Sequence, residues 1–387
     1  MVLKNNPAMK QKILIIIHPH LTLPGGAGKV VLEIGKQLSK EMRIVLIAQK
    51  INRNYIDEYP ELEFESINGP ITSSFFFWFL FPWWYQKTAK AIDSLRKKGE
   101  VSILCNVFPA NWIGLLYKSF HKEIHCSWFC HEPSAFIHIK KWRNAIIDPS
   151  KRILANIISP IMSVIDKKLA TYADEIFVNS KYSQDIAENI YGKKGVIIYP
   201  GVDTEKYKPV SFEEKENYIL SLGRISKFKN LDILLSAFWK MKNEKISLYI
   251  VGDGEEKENL QNLAKKLNIE DRVKFFSNIS DQEVVKFYAK AKVFVLCSKN
   301  EPFGIVPIEA MACGTTVIAD NSGGPMETII NNETGELIDC DVKNLNNTLE
   351  KLLSDDELLK KYSTQARKHI EMNFSWKKSA EKIKSYL

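Results

Sequence analysis

The 387-residue sequence predicts an α/β protein with two doubly wound parallel sheets in tandem. Three observations predict it. Short β-branched apolar runs alternate with stretches of helical spacing along the whole chain, the pattern of parallel strands joined by crossover helices. Several of those runs, such as Ile13–Ile17 and Val293–Leu296, are apolar at successive rather than alternate positions, as strands buried on both faces are. The succession also restarts: residues 195–209 (GVIIYPGVDTEKYKP) gather Gly, Pro and turn residues ahead of a fresh strand at Tyr218.

In chain order, the first half is expected to form strands at 12–18, 43–48, 101–105, 125–130 and 175–179, with helices at Lys29–Leu38 and Trp112–Phe120. The second half is expected to form strands at 218–223, 246–251, 272–276, 293–297 and 315–319, with helices between them. The tail 375–387 reads as one helix with Ser375 as its N-cap, where a hydroxyl can accept from a free backbone N–H. The domain boundary falls at 198/199.

The chain is 45% apolar and 26% charged, an ordinary globular composition, and is long enough for two cores. Residues 1–195 carry 26 Lys/Arg against 17 Asp/Glu, and residues 196–387 carry 28 against 29. The excess positive charge therefore belongs to the first half. It is either a solvated surface or a face for anionic headgroups or a phosphorylated acceptor. No nucleic-acid motif accompanies it, so nucleic acid is not an expected partner.

The six cysteines form no C-x-x-C pair and lie mostly in apolar runs, as buried free thiols of a reducing cytoplasm do. Cys126, Cys130 and His131 lack a second ligand cluster, and no metal is expected. Ile13–Ile17 is too short for a signal-peptide core and reads as the first strand. The longest apolar run, Phe75–Trp84 (FFFWFLFPWW), is about half a membrane span and contains Pro82. Its aromatics suit an interfacial anchor or an aromatic packing cluster equally. The basic segment Lys140–Arg152 favours the membrane.

Chemistry concentrates in Lys299–Gly324 (KNEPFGIVPIEAMACGTTVIADNSGG). A buried strand (VFVL, Val293–Leu296) precedes it, and Ile305–Cys313 has helical spacing ended by Gly314. Glu301 thus sits in a loop at the carboxyl end of a strand. Gly304 and Ile305 sit at the mouth of a helix, where free N–H groups favour a phosphate. Glu309 lies about one turn inside that helix. Two carboxylates flanking an anion site suit a ligand with hydroxyls on both sides of a diphosphate, a nucleotide-sugar. Arg224 and Lys229 follow another strand (YILSLG) and can neutralise a diphosphate, Arg by a bidentate fork and Lys as a point charge. Val251–Gly254 (VGDG) is a glycine turn at a third strand end, and Asn278 and Ile279 follow a fourth. In the first half, the glycine cluster Pro24–Gly28 opens the first helix and offers backbone N–H groups to an anion, with Gly26 its main candidate. It is not a Walker loop, because Leu23 and Val30 occupy required positions, and Val31 breaks G-x-G-x-x-G. His131 is a polar residue at the end of the buried run CSWFC, with Glu132 beside it as a second candidate.

The run Glu301, Phe303, Gly304, Glu309 resembles the E-x7-E motif of the retaining glycosyltransferases of family 4, which have the GT-B fold. Gly323–Gly324–Pro325, Arg224 with Lys229, the V-G-x-G turn and His131 in its H-x-P setting match as well. Residues 300–329 are most similar to GDP-mannose-dependent α-mannosyltransferases of lipid-linked oligosaccharide synthesis. The resemblance implies two facing Rossmann-like domains with the active site in the cleft, and a last helix returning from 375–387 to the first domain (1–198). The donor domain is then 199–374. It implies that Arg224, Lys229 and the Gly304–Ile305 helix mouth hold the donor diphosphate. Glu301 then bonds the sugar, Glu309 the ribose, and His131 the donor sugar or the frame of the site. Gly26, Gly252, Ile279 and Phe303 line the donor, and no cofactor or bound metal is needed. The expected donor is GDP-mannose, with UDP-glucose or UDP-N-acetylglucosamine next. The expected acceptor is a glycolipid or lipid-linked saccharide, selected by loops at about 50–90 and 132–165. The protein is then cytoplasmic and peripheral on an anionic membrane. Two other readings stay open: a UDP-sugar enzyme with a soluble acceptor, and a non-catalytic nucleotide-sugar-binding subunit.

Overall fold

The computed structural model describes residues 11–22, 25–68, 77–144 and 148–387, with the backbone only for 77–79, 135, 136, 141 and 142. The chain divides into two compact units. One holds the residues up to Tyr199 together with Trp376–Leu387, and the other is Pro200–Ser375.

The first unit runs β1 (Lys12–His18), α1 (Gly26–Leu38), β2 (Arg43–Ala48), α2 (Arg53–Glu58), β3 (Glu63–Ser66), α3 (Phe77–Arg96), β4 (Glu100–Cys105), α4 (Ala110–Phe120), β5 (His125–Cys130), α5 (Ala135–His138), α6 (Lys140–Asn144), α7 (Pro149–Ala170), β6 (Ile176–Val178), α8 (Lys181–Tyr191) and β7 (Val196–Ile197). The seven strands among its described residues are all parallel, in the order β3-β2-β1-β4-β5-β6-β7. Central β1 is buried from Ile13 to His18 because β2 and β4 pair with it on either side and helices cover its faces. Edge strand β3 (EFES) has no such cover and carries charge.

The second unit runs β8 (Glu216–Leu222), α9 (Leu231–Trp239), β9 (Ser247–Val251), α10 (Lys257–Lys266), β10 (Val273–Phe276), α11 (Asp281–Lys290), β11 (Ala291–Leu296), α12 (Ile305–Ala312), β12 (Thr316–Asp320), α13 (Pro325–Thr328), β13 (Gly335–Ile338), α14 (Val342–Leu353) and α15 (Asp356–Asn373). Its six parallel strands take the order β10-β9-β8-β11-β12-β13. In both sheets the order reverses beside the first strand of the unit, so crossovers leave to both sides and open a crevice at the carboxyl edge there. The final helix α16 (Trp376–Lys384) belongs to the first unit. It lies on α1, buries Trp376, Ala380 and Ile383, and its Ser379 hydroxyl donates to Tyr199 O at 2.6 Å. The two-sheet expectation and the returning helix are therefore met.

Several expectations need correction. Helix α1 begins at Gly26, not Lys29, because Gly25 takes an extended N-cap conformation and its carbonyl already accepts from Lys29 N–H. The ranges 50–90 and 132–165, read as loops, contain among their described residues α2, β3 and the start of α3, and α5, α6 and most of α7. In the aromatic run, Trp84 is core and Phe81 packs edge-on against Trp112, while Leu80 and Trp83 are exposed. Phe75 and the side chains of 77–79 lie outside the described residues, as do Leu23, Pro24 and 145–147. All six cysteines are buried free thiols. Among the described residues no helix is long and apolar enough to cross a membrane.

Candidate active site

In the second unit the strand-end loops are tied together by backbone bonds that continue past the sheet. Gly223 N–H donates to Val251 O, Ile225 N–H to Asp253 O and Gly252 N–H to Phe276 O. Gly252 approaches so closely that a Cβ there would lie 2.0 Å from Gly223 O, so no larger residue fits without moving the β8 loop. Lys229 closes a short 3-10 turn, and the next residue, Asn230, donates its side-chain amide to Cys297 O at 2.9 Å. That bond brings the β8 loop to the end of β11, and Lys229 Nζ sits 2.8 Å from Glu301 Oε2. Both side chains are about three-quarters buried, at 25% and 22% exposure.

The Glu301 loop is held from its other side by β12's loop. Asn300 N–H donates to the Ser322 hydroxyl, and Gly324 N–H donates to Glu301 O, both at 2.8 Å. Gly304 then caps α12 with φ +84°, a conformation glycine adopts freely and other residues resist. The first N–H groups of α12 open beside Glu301.

Glu309 is not on a solvated helix face. It is 5% exposed, and its two carboxylate oxygens accept from the hydroxyls of Tyr207 at 3.2 Å and Tyr288 at 3.0 Å. Burial, reinforced by that carboxylate, pushes both phenols up, so they stay protonated donors. Tyr207 is fixed in turn because Arg367 Nη1 donates to its carbonyl and to Ala312 O. Arg224 points into solvent at 76% side-chain exposure and pairs with Glu255 at 3.1 Å. Phe303 is buried with its ring 6.1 Å from Phe374, so its side chain serves the core and only its backbone can meet a ligand. Ile279 is half-buried against the core after β10, and Ile305 is half-buried at the α12 mouth. A small pocket at the carboxyl ends of β8, β9 and β11 is lined by Gly223, Arg224, Lys229, Val251 and Cys297.

The first unit wires the corresponding edge with neutral groups. His131, just past β5, is 8% exposed and stacked on Phe129 at 4.3 Å. Its Nε2 lies 3.2 Å from Asn106 Oδ1. The Asn106 amide nitrogen faces Ile17 O and Leu104 O, which leaves Oδ1 as acceptor and places the His131 proton on Nε2. His18 closes β1 and is likewise buried. Burial lowers both imidazoles to about 3, and His18 adds to the effect on His131. His131 is therefore a neutral hydrogen-bonding group at ordinary pH. Gln49, past β2, is fully buried, and among the described residues neither its amide atoms nor His18 Nε2 finds a hydrogen-bond partner. Gly26 is exposed at the first turn of α1. A larger hollow of about 900 Å³ lies by the amino ends of β1, β2 and β4, lined by Lys12, Glu41, Arg43 and Glu100, away from the edge that carries His131.

Sequence reasoning missed His18, Gln49, Asn106, Tyr207, Tyr288 and Glu255. His18 and Asn106 each stop an apolar strand, the signal that singled out His131. Nothing in the sequence marks the two tyrosines, which reach Glu309 from 102 and 21 residues away. Among the described residues no group of three or more His, Cys, Asp or Glu is placed as metal ligands would be.

The family description "Glycosyltransferase Family 4" matches residues 24–206, and "Glycosyl transferases group 1" matches 202–369. A Campylobacter jejuni N-acetylgalactosamine-N,N'-diacetylbacillosaminyl-diphospho-undecaprenol 4-alpha-N-acetylgalactosaminyltransferase is 29% identical over 354 residues, 89% of this chain and 91% of that protein. An alpha-1,3/1,6-mannosyltransferase of Dictyostelium discoideum is 26% identical over 54% of this chain and 60% of its own. The Anabaena protein HepE, solved with UDP and glucose, superposes with a TM-score of 0.78 at 20% identity, covering 97% of this chain and 98% of that one. With both units matched in tandem and the two parallel sheets in place, the chain belongs to the GT-B glycosyltransferases, with a family 4 first half and a group 1 second half.

Proposed function

We propose that the enzyme moves a sugar, with retention at the anomeric carbon, from a nucleoside-diphosphate donor to a lipid-linked saccharide at a membrane surface. The observation that carries the mechanism is the Lys229–Glu301 pair beside the mouth of α12. A cation and a carboxylate side by side at a helix mouth support a role for the pair where a donor's diphosphate and sugar would meet. In the donor complex Lys229 turns to the diphosphate, and Glu301 is released to the sugar hydroxyls. The bond between the anomeric carbon and the diphosphate oxygen breaks, and its electron pair leaves with the diphosphate. Lys229, Arg224 released from Glu255, and the N–H groups at Gly304–Ile305 stabilise that charge. The acceptor oxygen forms the new bond from the face the diphosphate left, and its proton passes to a departing phosphate oxygen. Glu309, oriented by Tyr207 and Tyr288, takes the ribose hydroxyls, and Gly252 and Ile279 line the nucleotide. Gly26 offers N–H groups to the diphosphate, and neutral His131 hydrogen-bonds the sugar. Side-chain cations and helix dipoles suffice for the diphosphate, so no metal cofactor is required in this scheme.

GDP-mannose is the first donor, supported by the resemblance over 300–329 and by the mannosyltransferase relative. A UDP-linked N-acetylhexosamine is the second reading. It is favoured because the relative matched over 89% of the chain is an N-acetylgalactosaminyltransferase acting on a diphospho-undecaprenol saccharide. That relative also supports the lipid-linked acceptor.

Thermal stabilisation by GDP-, UDP- and ADP-sugars tests the reading, because a ligand that binds only the folded state raises the melting temperature. A shift with GDP-mannose, weakened in Glu301→Ala, supports the first donor. A shift with UDP-sugars alone replaces it with the second. No shift with any nucleotide-sugar overturns the proposed mechanism.

A further inference from the structure

Helix α7 presents an apolar face that no described residue covers. Ile153, Ile157, Ile161 and Val164 are 61 to 70% exposed, and Leu154, Ile158 and Ile165 widen the stripe. At 3.6 residues per turn these side chains span an arc of about 140°. Ser159, Met162, Asp166 and Leu169 occupy the opposite, buried face. The two faces are pinned by Asp166, which accepts from Trp112 Nε1 at 2.5 Å, His138 Nε2 at 2.7 Å and the Tyr191 hydroxyl at 2.8 Å. The helix therefore cannot roll to hide its isoleucines without breaking three buried bonds.

Charge selects the occupant. The only carboxylate within α7 is the buried Asp166, and Asp148 lies just before it as N-cap. Cations stand at both ends, Lys151 and Arg152 at one and the exposed Lys167 and Lys168 at the other. A second copy seated on this stripe by a twofold axis sets cations against cations, whether the helices run parallel or antiparallel. An apolar stripe with basic ends and no exposed acid on the helix instead matches a bilayer interface with anionic headgroups, the apolar side chains below them and the lysines among them.

We infer that the outward face of α7 is the surface by which this enzyme lies on an anionic lipid bilayer. This assigns the docking surface to α7; of the aromatic run of α3, Trp84 is spent on the core and Leu80 and Trp83 are exposed. The inference rests on the lipid-linked acceptor reading for its purpose but not for its test.

The test is flotation of the full chain with phosphatidylcholine vesicles, with and without phosphatidylglycerol, run beside the donor thermal shift. The wild type should float with phosphatidylglycerol vesicles and less so at high salt. Ile157→Glu/Ile161→Glu should lower the partition coefficient by about tenfold or more, and Lys167→Glu/Lys168→Glu should abolish the preference for phosphatidylglycerol. Both variants change exposed side chains and should keep the wild-type donor shift, which shows them folded. The inference is overturned if the wild type fails to float at low salt, or if the isoleucine variant floats like wild type. It is also overturned if the wild type is a dimer in solution that the isoleucine variant splits. A missing donor shift in all three proteins would instead strike the transfer mechanism and leave the flotation result intact.

Discussion

The two sheets share one way of winding, yet their carboxyl edges hold opposite kinds of chemistry. In the first unit the edge is filled by His18, Gln49, Asn106 and His131, all buried and all neutral. In the second it carries Arg224, Lys229 and Glu301, all charged and all at least a fifth exposed. Depth decides the difference. An imidazolium at the position of His131 would lose its hydration, so burial, with His18 nearby, keeps the ring neutral. Lys229 and Glu301 retain contact with water and pair with each other at 2.8 Å. One topological edge can thus be tuned for hydrogen-bond recognition or for charge stabilisation simply by how far its loops are sunk.

The largest effect should come from breaking the charged edge. Glu301→Gln and Lys229→Ala should each slow transfer by about 10²- to 10³-fold, the usual loss when a transition-state electrostatic partner is removed. If the pair acts as one unit, the double variant should be little slower than either single one. Measuring kcat/KM for the four proteins decides it, and rates within a few-fold of wild type would remove this pair from the chemistry.

Acid should break the neutral edge next. His18 and His131 have folded values near 3 against 6.5 unfolded, so between those limits the unfolded chain binds more protons. Their contribution is fully present above about pH 6.5 and is lost as pH falls toward 3, a change on the order of a few kcal/mol. Urea unfolding across that range should show a shallower fall in His131→Asn than in wild type. Equal slopes would mean that the ring is not held neutral.

A smaller effect separates the two carboxylates of the motif. Tyr288→Phe leaves buried Glu309 short of one donor and should cost about 1.5–3 kcal/mol of stability by urea titration, a loss not expected of any change around exposed Arg224. The smallest is Glu255→Ala, which removes an exposed pair and should change stability by no more than about 1 kcal/mol. A larger loss there would show that the Arg224 loop is more rigid than its exposure implies.

Much of the fold was readable because parallel strands covered on both faces must be apolar throughout, as at Ile13–Ile17 and Val293–Leu296. Strand β3 escaped because an edge strand of EFES has no such run, and β7 is only two residues long. Helix α7 was taken for loop although Ile153, Ile157 and Ile161 repeat at helical spacing; its apolar face points outward, against the rule that periodic apolar residues mark a core. In the site, Lys229 and Glu301 were each readable from local pattern. Their salt bridge was not, because it spans 72 residues and depends on Asn230 anchoring to Cys297 O.

Helix α16 carries a consequence for synthesis. Its Trp376, Ala380 and Ile383 complete a unit whose other elements end at Tyr199, and the whole of Pro200–Ser375 is translated in between. On a ribosome the second unit can finish before the first one does. The surface of α1 that α16 covers stays open until Trp376–Lys384 has been made. A nascent chain that stalls or is cut short before α16 would hold a complete second unit and an uncapped first one, exposing apolar surface of the kind that chaperones and proteases recognise. Stability of the earliest-made unit is thereby made conditional on translation reaching α16.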